Sequence, residues 1–187
     1  MSESLADLFK YTMKNLQHPV TLRHELEHVY NYMNIQKHRF GDRFELRAEV
    51  PEHLLNASVL KLTVQPLVEN AIAHGFSEKK SDAYIDIKVY RQDDVLLISV
   101  SDNGKGIKEG ALLKLEQRLA QFNKRNKQHI QEDAEGIGLS NIHQRIQLLY
   151  GEGYGVKVAS SSGAGTTVTL TFPYIIFSPL LTEETSE

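Results

Sequence analysis

The chain has 187 residues, no cysteine, 41% hydrophobic and 24% charged residues, and a formal net charge of −3. This composition supports one substantial globular domain, excludes disulfides and thiolate metal sites, and gives no electrostatic reason to expect nucleic acid or an acidic membrane surface as the main partner. No apolar run approaches the ~20 residues needed to cross a bilayer and no signal peptide opens the sequence, so the expectation is a cytoplasmic piece without membrane contact of its own.

In chain order, Leu5, Leu8, Phe9, Met13 and Leu16 are spaced for an amphipathic helix over residues 3–16, broken by His18-Pro19. Thr21 is a candidate N-cap for a second helix running to about Phe40, with Leu22, Leu26, Val29, Tyr30 and Met33 on one face and Gly41-Asp42 at its end. The alternation of Phe44, Leu46, Ala48 and Val50 predicts a strand. Pro66 suits the first turn of a third helix and Gly75 its exit. Ile85, Ile87 and Val89 alternate with Asp86 and Lys88, and "DVLLISVSD" is an apolar run read as a buried strand. Asp93-Asp94 between them predicts an antiparallel hairpin. Residues 111–128 look helical, and "HIQEDAEGIG" is polar. "GLSNIHQRIQLLYG" is a helix with the stripe Leu139, Ile142, Ile146 and Leu149, closed by Gly151. A last hairpin sets Val168, Leu170 and Phe172 against Thr167, Thr169 and Thr171. Strands and helices do not alternate regularly, which argues for an α+β fold with a mixed, mostly antiparallel sheet rather than a doubly wound parallel one.

The second helix contains His24-Glu25-Leu26-Glu27-His28, the H-E-x-x-H pattern of helical zinc sites. Only three positions are fixed by that pattern, and "VYNYMNIQKHRF" supplies no third ligand at a known spacing. The stripe Leu22, Leu26, Val29 and Met33 explains the helix, with its His and Glu residues expected on solvated flanks.

Four other stretches carry chemistry. In "VENAIAHG", Asn70 and His74 lie one turn apart on a helix and Glu69 about 100 degrees around it. The Asn70 amide oxygen suits Mg²⁺ and the His74 imidazole suits a phosphate, while capping of a neighbouring loop would equally explain the Asn. In "SDNGKGI", Asp102 ends a strand, and Gly104 and Gly106 let the backbone bend or approach a flat ligand; an ordinary turn explains these residues too. "EGIGLSNIHQRI" sets Gly136 and Gly138 at a helix N-terminus, where N–H groups and the helix dipole favour an anion, or where a hinge would sit. "GAGTTVTL" places Thr166 at the head of a strand after a turn.

Taken jointly, this order of motifs resembles the ATP-binding domain shared by DNA gyrase, MutL and the histidine kinases, the GHKL superfamily. "TLRHELEHVYNYMNIQKHRFGDRF", "LTVQPLVENAIAHG" and "GIGLSNIHQRIQLLYG" are similar to the LytS-type sensor histidine kinases over residues 3–174. The resemblance implies a two-layer α/β sandwich of the Bergerat type over residues 41–175, preceded by a helical segment (1–40) from the end of the phosphoacceptor region and followed by a tail (176–187). It implies ATP and Mg²⁺, with Asn70 coordinating the metal and Asp102 accepting a hydrogen bond from the adenine amino group. Gly104, Gly106 and Ile107 would border the base, and Thr166 would support it. Residues 108–135 would form a lid, with Gly136, Gly138 and Leu139 at its hinge and phosphate cradle, His74 near the phosphates and Glu69 orienting the nucleophile. The activity implied is phosphoryl transfer from ATP to a histidine, and then to a response regulator, by a kinase that is a membrane-bound homodimer at full length.

Two departures qualify the match. No N-P-H-F motif occurs, so none of the eight histidines is assigned as phosphoacceptor, and the acceptor is expected outside this sequence. Ala73 stands where many relatives carry a basic residue, which would shift phosphate neutralisation to Mg²⁺, His74 and Lys105. A gyrase-like or MutL-like ATPase would need a Glu where Pro66 stands, and the N-terminal helices disfavour a serine kinase of the anti-sigma-factor type. A nucleotide-binding or dimerisation module without turnover is the remaining alternative.

Overall fold

The structure is a computed structural model that describes residues 18–41, 43–75, 82–122 and 137–178. The helix expected over 3–16 and the second half of the expected lid lie outside those residues. A short strand β1 (Pro19–Thr21) leads into helix α1 (Leu22–Phe40), whose first turn is capped by Thr21: its hydroxyl accepts from the His24 N–H at 3.2 Å. Gly41 closes the helix at φ 67°, donating its N–H to Lys37 at 2.8 Å, a conformation that glycine adopts without strain. Strand β2 (Phe44–Glu49), a 3₁₀ turn (Glu52–Leu54) and β3 (Ser58–Leu60) follow. Helix α2 (Gln65–Asn70) continues into a π-helical turn, Ala71–Gly75. Then come β4 (Ala83–Gln92), β5 (Val95–Asp102), α3 (Glu109–Phe122), α4 (Ile137–Tyr150), β6 (Gly155–Ser160) and β7 (Thr166–Pro173).

Five strands form one sheet in the order β2-β4-β5-β7-β6, in which only the β2–β4 pair is parallel. The β4–β5 hairpin turns at Asp93-Asp94 as expected, with Asp93 left-handed at φ 52°. One face is covered and the other open. Ile85, Ile87, Val89, Leu96, Ile98, Val100, Val168, Leu170 and Phe172 point into a single core with Leu22, Leu26, Val29 and Met33 of α1, Leu67 and Val68 of α2, and Leu139, Ile142 and Ile146 of α4. The open face carries partly or fully exposed residues such as Lys88, Ser99 and Thr169. β5 is therefore not buried on both sides: its apolar run alternates between core positions and partly exposed ones such as Leu97. β1 and β3 pair separately, and the chain returns at its far end to the same place, where Ser58 donates to the Ile175 carbonyl at 2.7 Å.

Three expectations about helix faces need correction. Tyr30 is 46% exposed, and Glu25 takes an inward position on α1. In α4, Leu149 is 47% exposed, and Tyr150 turns inward instead to meet Phe172 edge-on at 6.1 Å. Tyr150 stands four residues after Ile146, and the 3.6-residue period favours that position over the one before it. His143 and Arg145 of the same helix are also buried.

Candidate nucleotide site

Strand periodicity carries the buried row Leu96, Ile98, Val100 on to Asp102, so its carboxylate is directed to the helix-covered side. Asp102 Oδ1 accepts from the Gly104 N–H at 2.8 Å, which fixes the carboxyl orientation within its own turn. In the sheet Asp102 lies opposite Thr166 of β7. The two loops beyond this pair are laced together by Ser160. Its hydroxyl donates to the Gly165 carbonyl at 2.7 Å, accepts from the Ile107 N–H at 2.9 Å and lies 2.9 Å from Thr166 Oγ1. A serine has one hydroxyl proton, already committed to Gly165, so Thr166 donates in that last contact and keeps acceptor capacity.

Two glycines are required by close backbone approach. A Cβ on Gly165 (φ 88°) would overlap the Asp102 carbonyl oxygen, and one on Gly106 (φ 68°) would overlap the Ser161 carbonyl. Asp102, Gly104, Gly106, Ile107 and Thr166 thus form one cluster, as the sequence led us to expect. Ser160 was not foreseen: it ends a strand in a run of serines, and only the strand register reveals what it holds.

Asn70 ends α2, half-buried behind Leu67 and Val68. A Cβ built on Gly138 would come 4.0 Å from Asn70 Nδ2, so the amide faces the first turn of α4. Leu139 is buried and anchors that turn in the core. The π-turn after Asn70 packs on β5, the strand that ends at Asp102, and so links the two clusters. Glu69 Oε1 accepts from Gln65 Nε2 at 2.7 Å. It also faces α1: burial first, and then the Glu69 charge, raise the Tyr32 phenol above its usual range. His74 is exposed at the end of the turn, as is Ala73. Gly136 lies outside the described residues. Of the expected lid, α3 is seated on the core through Leu115 and Leu119.

The residues present fit a purine nucleotide. Asp102 is an acceptor fixed in its turn, the close backbone approach at Gly106 and Gly165 packs the loops beside it, and α4 offers its N-terminal turn beside an amide. A cleft of about 360 Å³ does open elsewhere, on the open face at the β2 edge, between Arg43, Glu45, Arg47, Asp82, Ala83, Tyr84 and Asn103. It lacks a helix N-terminus and holds an exposed Arg47–Glu45 ion pair, so its chemistry does not match that of the motif cluster.

The zinc pattern dissolves on inspection. Glu25 is fully buried, whereas His24 and His28 are exposed, and among the described residues no group of three or more His, Cys, Asp or Glu side chains is placed to hold a metal. The expectation that Glu25 lies on a solvated flank is therefore wrong. Its carboxylate is bound by the N–H groups of Leu62, Thr63 and Val64.

His143, between α3, α4 and β6, accepts the Val156 N–H on Nδ1 at 2.9 Å. Burial holds its imidazole below the usual histidine range. The unfolded chain takes up this proton near pH 6.5 while the fold resists it, so the contribution of His143 to stability is complete above that pH and declines as pH falls towards the folded value. Thermal melts from pH 8 to 5 are expected to show the advantage of wild type over His143→Asn shrinking on acidification; a constant gap would contradict this linkage.

Residues 56–176 match the model described as "Histidine kinase-, DNA gyrase B-, and HSP90-like ATPase", and residues 1–44 match the model described as "Histidine kinase". The chain belongs to the histidine kinase-, DNA gyrase B-, and HSP90-like ATPase family. Sensor histidine kinase YesM of Bacillus subtilis is 31% identical over 92% of this chain and 27% of its own length. Sensor histidine kinase BtsS of Escherichia coli is 29% identical over 92% of this chain and 28% of its own. The chain thus spans less than a third of the length of these relatives. Among solved structures, the catalytic domain of histidine kinase ThkA superposes with a TM-score of 0.59 at 15% identity, covering 84% of this chain and 97% of that one; this likeness concerns the fold.

Proposed function

We propose that this chain binds Mg·ATP between the end of β5 and the first turn of α4, and transfers the γ-phosphate to a histidine outside its own residues, for relay to a response regulator. The observation that carries this reading is the Asp102 carboxylate, held by the Gly104 N–H on the covered side of the sheet and flanked by two glycines that admit no side chain. A carboxylate there accepts from the exocyclic amine of adenine. Guanine presents a carbonyl at that position, which would leave the acceptor unpaired, and so selection of adenine follows from one group.

Asn70 would contribute its amide oxygen to Mg²⁺, an ion commonly held by one or two protein ligands together with phosphate and water. When bound, the ion neutralises charge on the β- and γ-phosphates. The N–H groups of the first α4 turn, reached through Gly138, face the phosphates, and His74 and Lys105 are the basic side chains we assign to them. Glu69, tied to Gln65, orients the attacking imidazole. Transfer of this kind depends on positioning and charge stabilisation more than on covalent chemistry by the protein. In the whole kinase we place this part on the cytoplasmic side of a membrane-bound homodimer.

The test is to mix this chain with an acceptor-bearing fragment and labelled ATP. Acid-labile phosphate on the fragment is expected, and it is expected to disappear with Asn70→Ala. Tight ATP binding without any transfer would instead identify a nucleotide-binding module with no turnover.

A further inference from the structure

The H-E-x-x-H helix keeps one residue that neither zinc chemistry nor the nucleotide site explains. Glu25 is 0% exposed, and its two carboxylate oxygens take the N–H groups of Leu62 at 2.7 Å, Thr63 at 2.9 Å and Val64 at 3.1 Å. These three residues lead directly into α2, the helix that ends at Asn70. Val64, the residue at the start of α2, has no capping side chain of its own. The cap comes from a different helix, 37 to 39 residues earlier in the chain.

The same bend is held from the other side. Arg145 of α4, 6% exposed, donates through its guanidinium to the carbonyls of Lys61 and of Leu62, the latter at 3.2 Å. Leu62 is left-handed at φ 55°, a conformation a leucine seldom adopts unless its surroundings impose it. Thr63, also fully buried, completes the bend by donating its hydroxyl to the Leu60 carbonyl at 2.8 Å. Buried ions held by hydrogen bonds to backbone fix geometry, because the alternative is an unpaired charge in a core. Here one anion and one cation from two helices fix the four-residue lead, Lys61–Val64, to a third.

We infer that Glu25 is a positioning residue for the phosphate end of the site, acting with Arg145: it locks the start of α2 to α1 and so sets where Asn70 stands against Gly138. α1 lies within residues 1–44, the part matching the histidine kinase model, so this carboxylate ties that segment to the nucleotide-binding unit. The inference rests on the proposed role of Asn70. It separates the two ends of the ligand, since the adenine cluster is built on β5, β6 and β7 and draws nothing from the bend.

Calorimetric titration of this chain with a non-hydrolysable ATP analogue plus Mg²⁺, and separately with ADP in chelator, tests it. Glu25→Gln is expected to weaken the Mg²⁺-containing complex roughly tenfold and the metal-free ADP complex less than about twofold. Equal weakening of both, or no weakening, would overturn the positioning role. If Glu25→Gln does not fold, Arg145→Lys, which keeps the charge but gives up the fork, is expected to show the same split, and equal losses there would overturn it. Asp102→Asn measured alongside keeps the readings apart. Loss of both ligands in that variant, with no split at Glu25, rejects the positioning role alone. Unchanged binding in Asp102→Asn rejects the site assignment, and the inference with it.

Discussion

Asp102→Asn is expected to weaken ATP binding by roughly 10- to 100-fold while leaving the fold in place. The size follows from losing a hydrogen bond to a charged acceptor, about 1.5–3 kcal/mol, at a position where the new amide can present a donor to the donor amine of adenine. Stability should change little, because the Asn side-chain oxygen can still accept from the Gly104 N–H that Asp102 now takes at 2.8 Å. Calorimetry with ATP, paired with a thermal melt, checks both halves. Unchanged affinity would remove Asp102 from the site; loss of folding would make it a structural residue.

Gly165→Ala is the second large effect, and its origin is geometric. The position combines φ 88° with a Cβ direction that runs into the Asp102 carbonyl oxygen, so an alanine meets both a conformational cost and an overlap with backbone. The left-handed conformation costs about 1–2 kcal/mol and the overlap about 1–3 kcal/mol, giving an expected loss of roughly 2–5 kcal/mol in urea unfolding. Gly163→Ala is the matching control. It has a similar φ of 83° and open space around its Cβ, so only the conformational part applies. Equal losses at the two positions would mean that the strand ends do not approach as closely as described here. If Gly165→Ala still folds, ATP binding should fall with it, because the same carbonyl belongs to Asp102.

Much of this was legible in the residues, and the reasons differ by element. Period-two alternation in Ile85, Ile87 and Val89, the Asp93-Asp94 turn, and the Thr21 and Gly41 caps are local signals, and each element stands where it was expected. The cluster at the end of β5 was readable because turns explain its residues one at a time but do not explain their joint order. β1 and β3 escaped notice because three-residue strands leave no periodicity to detect. Glu25 was expected on a solvated flank, and Arg145 was given no role, because a polar residue on an amphipathic helix is exposed unless a distant backbone claims it. In this chain one backbone segment, Lys61–Val64, claims both. Ser160 was missed for a related reason: its three partners lie on two loops and at the head of β7, and strand register alone brings them together.

The central claim is that the end of β5 and the junction of α2 with α4 serve one nucleotide. The most direct measurement is an amide-resolved NMR titration with a non-hydrolysable ATP analogue and Mg²⁺. The account expects simultaneous shifts at Gly104, Gly106 and Ile107 on one side and at Gly138 and the Asn70 side-chain amide on the other, saturating with a single affinity. Shifts confined to Arg43, Arg47, Tyr84 and Asn103 would place the nucleotide in the cleft on the open face instead, and would contradict it.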